Sequence, residues 1–306
     1  MLRPTFYVIG FPKCGTTAIA SYLANNPDIL FSKDKEPHYH ASDFTDPTQR
    51  RVTTEAEYLA QFASSRTDYC AVGEASTGYI FSANAIDNCL DFSSDPKFVV
   101  IVRNPVDMIA SIHAQMLQSG HEDVEDLAHA WSLSPSRSAG ENLPQRKTES
   151  IFIRYQDFAR MATYIGRVQE KVGADRLKVI VYDDLVVDPR GVYTNLIQWL
   201  GVSDDQRTHF NVLNPRGYHR YRTVANFINE PPRSLLRLSE WIKKVTGLKR
   251  LSIIDFLRRW NFQHQVRDVD ERLAKEIANH YAEEVQQLET LINRSLNWSN
   301  GISKRN

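Results

Sequence analysis

The feature that most constrains the fold of this chain is a two-glycine turn between an apolar run and a helical pattern. Residues 6–9 are apolar, Gly10 and Gly15 follow with four residues between them, and residues 16–23 have the composition of a helix. Such a turn leaves the backbone N–H groups at the start of the helix free for an anion, and the helix dipole favours the same charge. The sequence therefore predicts a phosphate-binding loop, with a chance glycine turn as the alternative.

The lysine of this loop is not where ordinary nucleoside triphosphatases carry it. Those proteins have lysine at the position of Thr16, whereas the lysine here is Lys13, before the second glycine. The loop is still suited to phosphate, but its cation meets a different atom of the ligand. This displacement favours an adenylate-type donor other than ATP and predicts a second anion site.

Composition narrows the class of protein. Lys+Arg and Asp+Glu both number 37, so no overall charge attracts nucleic acid, and we expect no nucleic-acid partner. Cys14, Cys70 and Cys89 are odd in number and lack C-x-x-C spacing, which favours a reducing compartment and no metal site. Residues 1–4 are too short for a signal peptide, and no apolar run of about 18 residues is present, so we expect a cytoplasmic protein.

Continuous apolar runs recur between helical patterns. Strands that are apolar on both faces are typical of a parallel sheet covered by helices, so we predict an α/β fold with a central parallel sheet. Ligands bind at the carboxyl ends of such strands, and Lys13, Glu74, Arg103 and Asp183 fall there. The runs are Phe6–Ile9, Cys70–Val72, Phe98–Val102 and Leu177–Tyr182.

A second anion site is predicted after the third run. Residues 97–102 lead directly into Arg103, Asn104 and Pro105, and a helical pattern follows. Pro105 suits the first helical turn. Arg103 at the strand end and Ser111 two turns into the helix can converge on one anion. The alternative is that Arg103 pairs with a neighbouring carboxylate and Ser111 is an ordinary helix residue.

These two motifs resemble those of sulfotransferases that use 3′-phosphoadenosine-5′-phosphosulfate (PAPS). Residues 12–17 match the family's P-K-[CS]-G-T-[TS] loop for the 5′-phosphosulfate, and residues 103–111 match its segment for the 3′-phosphate. The resemblance implies a P-loop NTPase-like sulfotransferase fold, PAPS as donor, adenosine 3′,5′-bisphosphate as product, and no metal. It implies that the donor is bound by Lys13, Cys14, Gly15, Thr16, Thr17, Arg103 and Ser111.

The resemblance extends over most of the chain, at about 5–225 and 265–300. It includes residues 181–201 and a C-terminal helix at 273–291. We therefore predict a single sulfotransferase domain over 1–306 with a basic helical insertion at about 225–262.

A subgroup is indicated by residues 35–39, Lys-Glu-Pro-His-Tyr. They resemble the K-E-x-H-F-F segment of the Golgi heparan sulfate sulfotransferases and their bacterial relatives, in which the glutamate is the catalytic base. The resemblance implies Glu36 as base, with His38 as the second candidate. The alternative for Glu36 is a surface carboxylate paired with Lys33 or Lys35.

Residues 73–79 resemble the E-K-[ST]-x-x-Y-F segment of the same subgroup, but Ala75 replaces its lysine. That replacement argues against an acceptor geometry like that of glycosaminoglycans.

Three further segments carry expectations. Residues 121–145 are polar, with proline and glycine, which predicts a mobile loop over the acceptor site. Arg216, Gly217 and Tyr218 lie where family members close a loop over the nucleotide, so the resemblance implies donor contacts, with a surface turn as the alternative. Residues 233–260 carry a local net charge of +6 (eight Lys/Arg against Glu240 and Asp255) in two amphipathic patterns.

The basic segment has two interpretations. Its apolar faces could cap the core and the acceptor cleft, as most amphipathic helices of soluble proteins do. Alternatively, it could rest on the anionic inner face of a membrane and bring the cleft to a lipid-linked glycan.

The function expected from these features is transfer of a sulfuryl group from PAPS to an acceptor hydroxyl or amine. A carbohydrate or glycolipid is the preferred acceptor, with a small-molecule alcohol behind it. The alternatives are a P-loop small-molecule kinase and a non-catalytic protein that binds PAPS or adenosine bisphosphate. Lys13 and Glu36 together argue against the non-catalytic alternative, since a binding protein needs no base.

Overall fold

The central element is a parallel sheet. A computed structural model describes residues 2–46, 49–210, 218–219, 262–263 and 269–298. The sheet has five strands in the order β2-β3-β1-β4-β5, and every described pair is parallel. The predicted fold class is confirmed. The strands are β1 (Phe6–Gly10), β2 (Ile29–Phe31), β3 (Ala71–Ala75), β4 (Lys97–Val102) and β5 (Leu177–Val181).

Helices connect these strands, as parallel pairing requires. In the described residues they are α1 (Thr16–Ala24), α2 (Glu55–Ala60), α3 (Ala85–Phe92), α4 (Pro105–Ser119), α5 (Leu127–Ser132), α6 (Ser134–Ser138), α7 (Tyr155–Phe158), α8 (Met161–Val172), α9 (Tyr182–Val187), α10 (Pro189–Leu200), α11 (Glu271–His280) and α12 (Ala282–Ile292). A short antiparallel pair, β6 (Tyr218–His219) and β7 (Phe262–Gln263), follows α10 in the chain. Residues 77–80 form a 3-10 turn after β3.

Burial on both faces explains the apolar strands. All five residues of β1 and the last five of β4 are buried. Gly73 lies opposite Phe6 in the sheet, and a Cβ added to Gly73 would stand 2.1 Å from the Phe6 ring. A glycine is therefore required for the ring to pack flat on β3.

The strand pattern was incomplete in two places. The three residues of β2 are too few to form a recognisable run. β3 was predicted to end at Val72 but continues through Glu74 to Ala75. Glu74 can lie inside a buried strand because hydroxyl groups donate hydrogen bonds to its carboxylate, and an apolar pattern does not reveal such partners.

The prediction of a mobile loop at 121–145 is wrong. This stretch contains α5 and α6, and Arg137 forms a two-pronged ion pair with Glu122 at 2.7 and 2.8 Å. Both side chains are fully buried, and the Tyr155 hydroxyl also donates to Glu122 at 2.8 Å. The buried pair anchors the polar stretch to the core.

The single C-terminal helix predicted at 273–291 is two helices, with Tyr281 between them. α11 packs against α4, and α12 packs against α8. Asp183, predicted at the ligand edge, instead accepts a hydrogen bond from the Trp298 indole N–H at 2.9 Å. It therefore ties the C-terminal segment to α9.

The basic segment at 233–260 and residues Arg216 and Gly217 lie outside the described residues, as does nearly all of the insertion at about 225–262. Within the described ranges, no helix is both long and apolar enough to cross a bilayer.

Candidate active site

The glycine turn has the geometry of an anion-binding loop. Gly15 caps α1 in the left-handed region with φ 87°, and an added Cβ would lie 3.0 Å from the Tyr182 ring. No side chain in the described part of the chain caps the N-terminus of α1. The first N–H groups of the helix, at residues 16 and 17, thus remain available to a ligand.

Lys13 lies within the field of three other charged side chains. It is half-buried, with φ 69°. Burial lowers the pKa of its ammonium, the positive charges of Arg103 and Lys35 lower it further, and Glu36 opposes them. The structure therefore brings the loop lysine, the second-site arginine and the base candidate into one electrostatic site.

Arg103 is a buried cation that is only partly satisfied. Its side chain is 4% exposed, Nη1 donates to the Lys13 carbonyl at 2.7 Å, and the guanidinium lies 4.7 Å from the centre of the Tyr182 ring. Nε and Nη2 make no hydrogen bond to the described residues. Among the described residues, Arg103 pairs with the carboxylate of Asp107, which stands 3.8 Å from Nη2 and thus beyond hydrogen-bond distance. The alternative interpretation, in which Arg103 simply pairs with a neighbouring carboxylate, is therefore supported only by this long ion pair.

Ser111 and Asp107 are neighbours on α4, because residues four apart on a helix lie one turn apart. Ser111 is half-buried, and the Asp107 carboxylate lies 3.8 Å from Arg103 Nη2. The backbone of β6, which includes Tyr218, runs beside α4.

The remaining loop residues differ in what they offer a ligand. The Cys14 thiol is fully buried and lies 3.6 Å from the Pro12 carbonyl and 3.7 Å from the Met108 sulfur. Burial raises its pKa to about 12, so the thiol stays protonated and packs in the core. Only the backbone of Cys14 can contact a ligand. Thr16 is nearly buried and Thr17 half-buried.

Glu36 is held as an ionised carboxylate. Its Oε1 accepts hydrogen bonds from Lys35 Nζ at 2.8 Å and from Thr77 Oγ1 at 2.9 Å. Burial alone would raise its pKa, but the charge of Lys35 and these two hydrogen bonds outweigh burial and hold the pKa below its usual range. The side chain is 35% exposed. The ion pair with Lys35 that the surface-carboxylate alternative predicts is present. The charge of Glu36 also raises the pKa of Lys13.

His38 is buried, and both of its ring nitrogens are engaged. The Gly78 N–H donates to Nε2 at 3.3 Å, so Nε2 carries no proton, and Nδ1 donates to the Gln49 carbonyl at 2.6 Å. Burial lowers the pKa of the ring. No nitrogen is left to take a proton from an acceptor in this arrangement, which favours Glu36 over His38 as the base.

The loop that carries Glu36 rests on the end of β3. We call residues 36–40 the base segment and residues 74–79 the support segment. The Glu36 N–H donates to the Ala75 carbonyl at 2.9 Å, and Ala75 is fully buried. Sequence reasoning missed the support segment's roles, although the resemblance of residues 73–79 to a family segment was the available signal.

Together, the parallel sheet, the uncapped helix after a glycine turn and the arginine at the next strand end define an α/β protein with two candidate anion sites. The chain belongs to the sulfotransferase family, since the model described as "Sulfotransferase family" matches residues 4–206. The predicted family membership is confirmed.

The curated relatives are distant. Human carbohydrate sulfotransferase 15 is 28% identical over 247 residues, which cover 67% of this chain and 39% of that protein. The bifunctional heparan sulfate N-deacetylase/N-sulfotransferase 1 of Caenorhabditis briggsae is 23% identical over 224 residues, which cover 71% of this chain and 25% of that protein. The chain thus spans well under half the length of the curated relatives it matches.

A solved structure has the same fold. The sulfotransferase from Alicyclobacillus acidocaldarius superposes with a TM-score of 0.71 at 22% identity, covering 97% of this chain and 99% of that one.

Proposed function

We propose that this chain transfers a sulfuryl group from PAPS to a hydroxyl or amine of a carbohydrate or glycolipid and releases adenosine 3′,5′-bisphosphate. The observation that carries the proposal is the buried Arg103 guanidinium, which is fixed to the Lys13 carbonyl and has two donor nitrogens without hydrogen bonds to the described residues. A buried donor without a partner is costly, and a phosphate oxygen would satisfy it.

The residues present fit a donor with two anionic ends. The free N–H groups after Gly15 suit the 5′-phosphosulfate. Arg103 and the Ser111 hydroxyl suit a 3′-phosphate. Two anion sites that share the Lys13 backbone favour PAPS over a nucleotide with one phosphate group.

PAPS supplies the sulfuryl group, and the chain supplies charge and a base. In this proposal the Lys13 ammonium stabilises negative charge on the oxygen that bridges phosphate and sulfur as that bond breaks. Glu36, ionised and partly exposed, accepts the proton that the acceptor loses. Positioning of the two substrates accounts for the rest of the rate increase.

The preference for a carbohydrate acceptor rests on the resemblance of residues 35–39 and on the names of the relatives. The missing lysine at Ala75 distinguishes the acceptor site from that of the heparan sulfate enzymes in our proposal. We also propose a cytoplasmic location and contact of residues 233–260 with an anionic membrane, both from the sequence alone.

The experiment compares transfer from radiolabelled PAPS with transfer from radiolabelled ATP to a set of glycans, glycolipids and small alcohols. We expect label from PAPS on a carbohydrate and none from ATP. Transfer from ATP would support the kinase alternative. Binding of adenosine bisphosphate without transfer to any acceptor would support the non-catalytic alternative.

Two variants separate the base candidates in the same assay. Glu36→Gln keeps the shape but accepts no proton, so kcat should fall with little change in donor affinity. His38→Asn should have the smaller effect on single-turnover rates. The reverse order would transfer the role of base to His38.

A further inference from the structure

A fully buried carboxylate lies behind the base segment and has hydroxyls as its hydrogen-bond partners. Glu74 is 0% exposed. Its Oε1 accepts from the hydroxyls of Tyr58 and Tyr79, both at 2.8 Å, and its Oε2 accepts from Ser76 Oγ at 2.6 Å. No cation pairs with it among the described residues. An ionised carboxylate in this position costs stability.

Two of these hydroxyls also hold the backbone of the base segment. Ser76 Oγ accepts the His38 N–H at 3.1 Å, and the Tyr79 hydroxyl accepts the His40 N–H at 3.1 Å. Since each hydroxyl has one hydrogen and donates it to Glu74, its lone pairs are turned toward the amides. The carboxylate thereby fixes the direction of both hydroxyls.

The base segment needs such support because its backbone is strained. Glu36 and His38 both lie in the left-handed region, with φ 60° and 50°. A residue other than glycine adopts this conformation at a steric cost, and strain of this kind persists only where surrounding contacts over-determine the conformation. The amide anchors at His38 and His40 are contacts of that kind.

We propose that Glu74 is a positioning residue for Glu36. Its ionised carboxylate orients the Ser76 and Tyr79 hydroxyls, which hold the base segment against the support segment and keep the Glu36 carboxylate in place for proton transfer. The proposal deepens the proposed function and rests on it.

Glu74 changes charge near neutral pH, whereas the titratable groups packed around it do not. Burial raises its pKa to about 7, its hydrogen bonds lower it, and the charge of Glu36 raises it. Burial raises the pKa of the surrounding hydroxyls and thiol, and lowers the pKa of the His40 ring to about 3. Those neighbours therefore stay neutral; they are Tyr7, Tyr58, Tyr79 and Cys89.

Protonation of Glu74 should slow the reaction. A protonated carboxyl becomes a donor to one of the hydroxyls, which must then turn and weaken its hold on the amide behind it. The wild-type kcat should fall as the pH falls through about 7. Glu74→Gln should lower kcat by ~10- to 100-fold, the range for a slight misplacement of a reacting group, and should lose that pH dependence.

Tyr79→Phe and Tyr58→Phe provide a matched pair. Each keeps its ring and removes one hydroxyl that donates to Glu74 Oε1 at the same distance, but only the Tyr79 hydroxyl also accepts a base-segment amide among the described contacts. We expect Tyr79→Phe to lower kcat by ~10-fold or more, with adenosine bisphosphate affinity unchanged, and Tyr58→Phe to lower kcat much less. Equal losses of kcat in the two variants would overturn the proposal, as would a wild-type kcat and pH profile in Glu74→Gln.

Hydrogen exchange at the His40 amide separates this proposal from the proposed function. Faster exchange in Tyr79→Phe than in Tyr58→Phe supports the positioning role, and equal exchange overturns it, whether or not transfer is detected. If the wild type transfers no sulfuryl group to any acceptor, the proposed function fails and the exchange result still decides the structural link.

Discussion

At the scale of single residues, the site is a group of cations gathered around a small amount of negative charge. Burial lowers the pKa of the Lys13 ammonium, the charges of Arg103 and Lys35 lower it further, and Glu36 is the carboxylate that opposes them. An anionic ligand would relieve this repulsion, because charge-assisted hydrogen bonds to phosphate are among the strong ones in proteins. Such an arrangement suits binding of a multiply charged donor.

Lys13→Ala should remove most of the transfer activity and leave adenosine bisphosphate binding largely intact. The reason is that the lysine acts on charge that develops only in the transition state. We expect kcat to fall by about 100-fold or more, the usual result of deleting one preorganised electrostatic group. The exposed Lys33 is the control, and equal kcat values for Lys13→Ala and Lys33→Ala would disprove the role of Lys13.

The candidate residues of the site can be named from the sequence, but most of their contacts cannot. Lys13, Arg103 and Glu36 stand in short motifs whose chemistry is local. By contrast, the amides of His38 and His40 bond to side chains 38 and 39 positions further along the chain. Only the pairing of β3 with its neighbours in the sheet brings those residues together, and no periodic pattern records it.

At the scale of elements, the helices were predicted best where caps and periodicity agree. Asn104 caps α4 by accepting the Val106 N–H, and Pro105 follows at the first helical position. Gly201 ends α10 in the left-handed region. The prediction for 121–145 was wrong because Arg137 and Glu122 form a buried ion pair there, and a polar sequence does not show which of its charges are paired.

Arg137→Ala should destabilise the fold strongly. It removes one partner of a fully buried pair and leaves Glu122 charged and without its cation, which costs about 3–5 kcal/mol. Arg176→Ala is the matched control, since Arg176 pairs with Asp95 at the surface, and exposed pairs contribute about 1 kcal/mol or less. Chemical denaturation would measure both, and similar losses would show that the Arg137 pair does not anchor this segment.

At the scale of the whole molecule, the stability of the fold and the proposed function favour different protonation states of Glu74. The buried Glu74 favours the protonated form, whereas the proposed positioning role needs the ionised form. Proteins often accept such a cost at functional sites.

Glu74→Gln should change the pH dependence of stability. Because the folded-state pKa of Glu74 is raised from 4.5 to about 7, the folded protein binds this proton more tightly than the unfolded chain does. The free energy of unfolding should therefore fall as the pH rises from about 4.5 to about 7, by an amount on the order of 3 kcal/mol.

Denaturation at several pH values would test this slope. Glu74→Gln should remove its contribution, and the exposed Glu125→Gln should leave the slope as in the wild type. A slope that is the same in Glu74→Gln and wild type would mean that Glu74 does not titrate in this range.

The central claim is that Arg103 reads a 3′-phosphate, and calorimetry with two nucleotides tests it most directly. The wild type should bind adenosine 3′,5′-bisphosphate more tightly than adenosine 5′-phosphate. Arg103→Ala should weaken the bisphosphate by about 1.5–3 kcal/mol, the contribution of a charged hydrogen-bond group, and leave the monophosphate nearly unchanged. Equal weakening of both nucleotides would contradict the account.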